Sequence, residues 1–243
     1  MNVYRIDTFS KPAGTKFKYY AHLEGDKSDD DLLEWKNFAG CPFPKKWRRI
    51  GLHFDEPRRP RADFYHLSGT GSAFVCSERV RELAGHILKS CGEFLPVELE
   101  GEDGAYYLHN VTSVGAFMDE AKSVFETPSN AMKAALKAHL DAGKTFNTLV
   151  APAFLPDAIK KQTVFKIPQL PHDTYVAETD HSESFSAFKA LVERNNLVGL
   201  RFMLAWNETG GPKPLKFPTL AGGSKWVYGD GREFPNWKGY KPL

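Results

Sequence analysis

Residues 73–99 constrain this chain more than any other stretch, because the apolar pattern changes period twice within them. Ala73-Phe74-Val75 is a short continuous apolar run of the kind a buried strand requires. Ser77 then stands where a helix cap belongs, and Val80, Leu83, Ala84, Ile87 and Leu88 recur at i, i+3, i+4, i+7 and i+8 as one apolar stripe. Gly92 is the expected terminating residue. Leu95, Val97 and Leu99 return to alternation, so the segment reads strand, helix, strand. Pro96 has no N–H for a ladder, which predicts an edge position or a bulge for that last strand.

The same order recurs toward the other end. Thr174-Tyr175-Val176-Ala177 reads as a strand, Ser182 or Ser184 as a cap, and Phe185, Phe188, Leu191 and Val192 as the buried stripe of a helix ended by Asn195-Asn196. Leu200, Phe202, Leu204 and Trp206 then alternate with Arg201, Met203 and Ala205, predicting a strand with one buried face. Elsewhere, strands are expected at Val3-Tyr4-Arg5-Ile6, Phe17-Lys18-Tyr19-Tyr20, Ile50 to Phe54, Ala105 to Leu108 with Val111, and Val164-Phe165-Lys166-Ile167. Helices are expected from Ser28 or Asp29 to Gly40 and from Ser129 to about Ala142. The expected class is therefore mixed α/β (α+β), with two strand-helix-strand units around a mixed sheet.

Composition narrows what such a chain does. Its 243 residues are 42% hydrophobic and include 18 Phe, 9 Tyr and 5 Trp, too much apolar area for a solvated chain. The longest uncharged apolar stretch, from Thr145 to Pro156, is short of the roughly 20 residues a membrane helix needs. The opening Met1-Asn2-Val3-Tyr4-Arg5 holds no apolar signal region. Cys41, Cys76 and Cys91 are odd in number and lack a C-x-x-C pair, so they read as reduced thiols of a cytoplasmic protein, and no metal or cofactor is expected.

Charge divides the chain into three parts. Residues 1–61 carry 13 Lys/Arg and 9 Asp/Glu, a net +4 and a basic first segment expected to pack on the core; residues 62–209, the core domain, carry 13 and 19, a net −6. Residues 210–243 carry 6 and 2, a net +4, in an arm rich in glycine, proline and rings that is expected to be irregular. The run Lys45-Lys46-Trp47-Arg48-Arg49, with Arg58, Arg59 and Arg61 beyond it, resembles a phosphate-binding surface, but the acidic middle would repel a polyanion and argues against nucleic acid as partner.

No catalytic motif accompanies these patterns. Ser68-Gly69-Thr70-Gly71-Ser72 lacks the G-K-[ST] ending of a phosphate loop and reads as a tight turn, as does Tyr228-Gly229-Asp230-Gly231. The histidines lack a G-x-S-x-G or H-E-x-x-H companion, so no catalytic residue is assigned; a pocket bringing together His66, His109 or Glu98 would point instead to an enzyme. Two groups are candidate partner-binding residues. The acidic run Glu98, Glu100, Glu102 and Asp103 sits at a strand end and the loop after it, and Trp226, Tyr228, Arg232 and Trp237 put hot-spot residue types in the arm.

Four blocks carry a family resemblance: AFVCSERVRELAGHILKSCGEFLPVEL, YYLHNVTSV, VFKIPQLPHDTYVAE and NNLVGLRFMLAW. In this order, within residues 62–209, they resemble an immunity-protein family of bacterial polymorphic toxin systems. The resemblance implies a non-enzymatic antitoxin that binds and neutralises a cognate toxin effector by direct protein contact. Charge complementarity would speed the encounter and buried rings would slow release. If the toxin acts on an anionic substrate, the acidic run is placed to imitate that substrate's charge.

Overall fold

The computed structural model describes residues 1–7, 20–23, 35–43, 46–53, 61–67, 73–126, 148–178 and 188–213. In chain order the strands are β1 (Asn2–Asp7), β2 (Tyr20–Leu23), β3 (Ile50–His53), β4 (Phe64–Leu67), β5 (Phe74–Ser77), β6 (Gly92–Leu99), β7 (Tyr106–Val111), β8 (Val124–Glu126), β9 (Thr148–Ala151), β10 (Val164–Ile167), β11 (Leu170–Glu178), β12 (Arg201–Asn207) and β13 (Gly211–Pro212). Among the described residues the helices are α1 (Glu78–Cys91), α2 (Pro156–Ile159) and α3 (Phe188–Arg194), with one 3-10 turn at Trp35–Phe38. The fold is α+β.

Six strands close a barrel in the order β2-β3-β6-β7-β5-β4, and five form a second sheet in the order β10-β11-β1-β12-β13. The barrel interior is filled by Tyr65, Leu67, Val75, Val97, Tyr106 and Leu108 among others, while Phe64, Phe74 and Cys76, one residue out of step on the same strands, point to the opposite side. Both faces of β4 and β5 are thus buried, so these strands read as continuous apolar runs rather than alternating ones. α1 and α3 fill the space between barrel and sheet, burying Val80, Ala84, Leu88, Phe188 and Leu191 in one cluster with Val164 and Val176 of the sheet. A third cluster covers the far face of the sheet, where Met118, Phe154 and Ile159 pack on Val3, Phe165, Tyr175 and Trp206.

The two strand-helix-strand units share one arrangement. β5 and β6 each pair antiparallel with β7, so they run parallel to one another with β7 between them and α1 as the crossover. β11 and β12 each pair antiparallel with β1, giving the same split arrangement with α3 between the two strands in sequence. The inserted strand follows its unit in the first case and comes from the chain's start in the second. The described parts of residues 1–61 therefore supply β1 to the middle of the sheet and β2 and β3 to the barrel wall, and Phe38, Ile50 and Leu52 join the barrel core.

Ser77 caps α1, its hydroxyl accepting from the Val80 amide at 3.4 Å. Two local expectations are corrected. Pro96 is not on an edge, because β6 lies between β3 and β7; the β3 pairing begins only at Val97, and beside Pro96 the Trp47 indole N–H donates to the proline carbonyl at 2.8 Å. Gly92 ends α1 as expected, with extended backbone (φ −175°). It is glycine because an added Cβ would lie 2.2 Å from the Asn110 carbonyl oxygen as β6 crosses β7. The alternation of β12 breaks at Ala205: Val3 pairs with Trp206 and Tyr4 with Leu204, so Ala205 is an extra residue. Ala205 and Trp206 are consequently both buried and Leu204 is exposed.

In the first segment the helix ending before Gly40 is described only from residue 35, where it is a 3-10 turn, and the strand expected at 17–20 is described only from Tyr20. The helix at 129–142, the caps Ser182 and Ser184 with Phe185, the turns at 68–72 and 228–231, Arg58 and Arg59 lie outside the described residues.

Candidate functional site

β6 and β7 are joined by a tight acidic turn at one end of the barrel. The Glu100 amide donates to the Leu52 carbonyl at 2.8 Å and the Glu102 amide to the Leu99 carbonyl at 3.2 Å, which ties the turn to the barrel wall. Gly101 (φ +72°) and Gly104 (φ +122°) take the left-handed conformations the turn needs, with open space around both. The Glu78 amide, at the start of α1, donates to the Ala105 carbonyl at 2.9 Å and fixes the other side.

This scaffold separates the four predicted acids. Glu100 and Asp103 are exposed. Glu98 is 64% exposed and meets Arg49 at 3.2 Å, an open pair that contributes under about 1 kcal/mol. Glu102 instead turns inward, only 6% exposed, where it accepts from Arg61 at 3.2 Å and from the Tyr106 hydroxyl at 3.5 Å. Burial, with the neighbouring Tyr65 and Glu102, pushes the Tyr106 phenol up to about 12, so it stays a donor to that carboxylate. Two arginines of the basic first segment thus answer the acidic turn, and the charge division seen along the chain is partly neutralised in space. The four predicted arm residues, Trp226, Tyr228, Arg232 and Trp237, lie outside the described residues.

The residues that would have marked an enzyme are not brought together. His66 and His109 both pair with Phe74, one from β4 and one from β7, so β5 lies between them. Glu98 is four residues along β6 from Phe94, the partner of His109, which places it roughly 13 Å away along the strand. His109 is fully buried, stacked on Phe74 at 5.2 Å and edge-on to Phe94 at 4.9 Å, with Nε2 against the Leu88 carbonyl at 3.1 Å. Burial, aided by the charge of Lys166, holds its imidazole down at about 4. It is neutral at pH 7, Nε2–H is the donor to Leu88, and Nδ1 has no partner.

Among the described residues the interior also holds a buried charge that sequence reasoning did not single out. Lys166 on β10 is fully buried, and its ammonium donates to the Phe38 carbonyl. Burial pushes it down to about 8, opposed by Asp173 and Cys41. Asn110 donates to the Cys41 carbonyl and to Glu93, both at 2.9 Å, and Glu93 also accepts from the Phe43 amide at 2.6 Å. Three buried or half-buried polar side chains therefore hold the backbone of residues 38–43 between barrel and sheet. Gly40 (φ +100°) fits there because an added Cβ would lie 2.0 Å from Val114 Cγ2. The signal in the sequence was a lone charge inside the apolar run Val164-Phe165-Lys166-Ile167.

Between the end of α3 and the start of β12 lies an open cleft of about 450 Å³, with Leu197, Leu200 and Phe202 as apolar lining and Glu193 and Arg201 as charged lining. Cys41 is exposed, Cys76 and Cys91 are buried, and all three are free thiols. Burial pushes the Cys91 thiol up to about 12 and raises that of Cys76 further, so both are un-ionised and unreactive at neutral pH. Among the described residues no three His, Cys, Asp or Glu side chains are placed to share a metal, and no helix is long and apolar enough to cross a membrane.

Compared with known protein families and with curated proteins, the chain matches no family model and no curated protein.

Proposed function

We propose that this chain is a cytoplasmic immunity protein of a bacterial polymorphic toxin system, which neutralises a cognate toxin effector by direct protein contact. The observation that carries the reading is the acidic β6–β7 turn: Glu100 and Asp103 stand exposed on a turn anchored to a closed barrel and to the start of α1, and Glu98, partly answered by Arg49, stands exposed beside it at the end of β6. Negative charge held on a backbone that need not rearrange is suited to fast docking against a basic surface. The family resemblance of the four sequence blocks points the same way. An enzyme built on His66, His109 and Glu98 is disfavoured by their separation, and nucleic-acid binding through the basic segment is disfavoured by the engagement of Arg49 and Arg61 with Glu98 and Glu102.

The test is co-expression with the toxin domain encoded beside it, followed by co-purification and by growth of cells carrying the toxin. A stable complex and restored growth are expected. The triple variant Glu98→Lys, Glu100→Lys, Asp103→Lys, which spares Glu102 because that residue holds Arg61 and Tyr106, should weaken the complex and flatten its salt dependence while the fold persists. No complex and no rescue, with the neighbouring domain shown to be toxic, would overturn the immunity reading. Unchanged affinity in the triple variant would overturn the role of the turn alone.

A further inference from the structure

We draw no further inference here: the strongest candidate, the edge of β12 over residues 201–204 with the cleft beside it, carries nothing because nothing in the structure shows what covers it.

Discussion

Acidification should destabilise this protein through His109. The imidazole is held at about 4 in the folded chain against its ordinary 6.5. Between those two values the unfolded chain binds the proton and the folded chain does not, so stability falls as pH falls. Above 6.5 both states are neutral, and below about 4 both are charged, so the loss is confined to that window. At 1.36 kcal/mol per pH unit of separation the full loss is about 3 kcal/mol, a large share of a typical domain's 5–15 kcal/mol. The assay is urea unfolding at about pH 7 and about pH 5, where about 2 kcal/mol of the loss has developed. His109→Leu removes the titration and one of the bonds to the Leu88 carbonyl, which keeps the Cys91 thiol as donor at 3.3 Å, so it should be less stable at neutral pH by about 1 kcal/mol. The difference between the two proteins should move by about 2 kcal/mol in the variant's favour at the acidic condition. A His109 ring titrating near 6.5 by NMR, or an equal pH dependence in both proteins, would refute the argument.

Lys166 works in the same direction at alkaline pH. Its ammonium is lowered to about 8 from an ordinary 10.5, so between those values the unfolded chain is the more protonated and stability should rise with pH by up to about 3 kcal/mol. Lys166→Met should flatten that rise in urea unfolding, and a flat wild-type profile would contradict the burial of a charged amine. Gly199 (φ +115°) has the Phe64 carbonyl oxygen 2.1 Å from the place of a Cβ, whereas Gly101 (φ +72°) faces open space. Gly199→Ala should therefore cost well over the roughly 1 kcal/mol expected of Gly101→Ala, read as the difference in urea midpoint, and equal effects would count against this packing. Ser77→Ala should cost about 1 kcal/mol by removing the cap of α1, while Ser90→Ala, at the far end of the same helix, should cost less.

Where an element depends on its own neighbours, the sequence carried it. The stripe of α1, the Ser77 cap, the apolar run of β10 and the end of α3 at Asn195-Asn196, where Asn196 takes φ +50°, all follow from spacing within a few residues. The same local logic placed Glu98 and Glu100 at a strand end and the loop after it, and both are exposed there.

Strand partnership was decided only by the tertiary structure, because an apolar face specifies that it must be covered and not by what. β1 finds its neighbours in β11 and β12, some 170 to 200 residues away, and inserts between them. Pro96 reads as an edge or bulge residue until β3 is seen to begin pairing one position later, and the close approach that requires glycine at position 92 appears only where Asn110 lies against it. Glu102 and Glu98 look alike in sequence, and only the folded positions of Arg61 and Arg49 make one an inward anchor and the other a surface charge. Lys166 is the extreme case. The carbonyl that accepts from its buried ammonium lies 128 residues earlier, in a segment held between barrel and sheet that no pattern within β10 specifies.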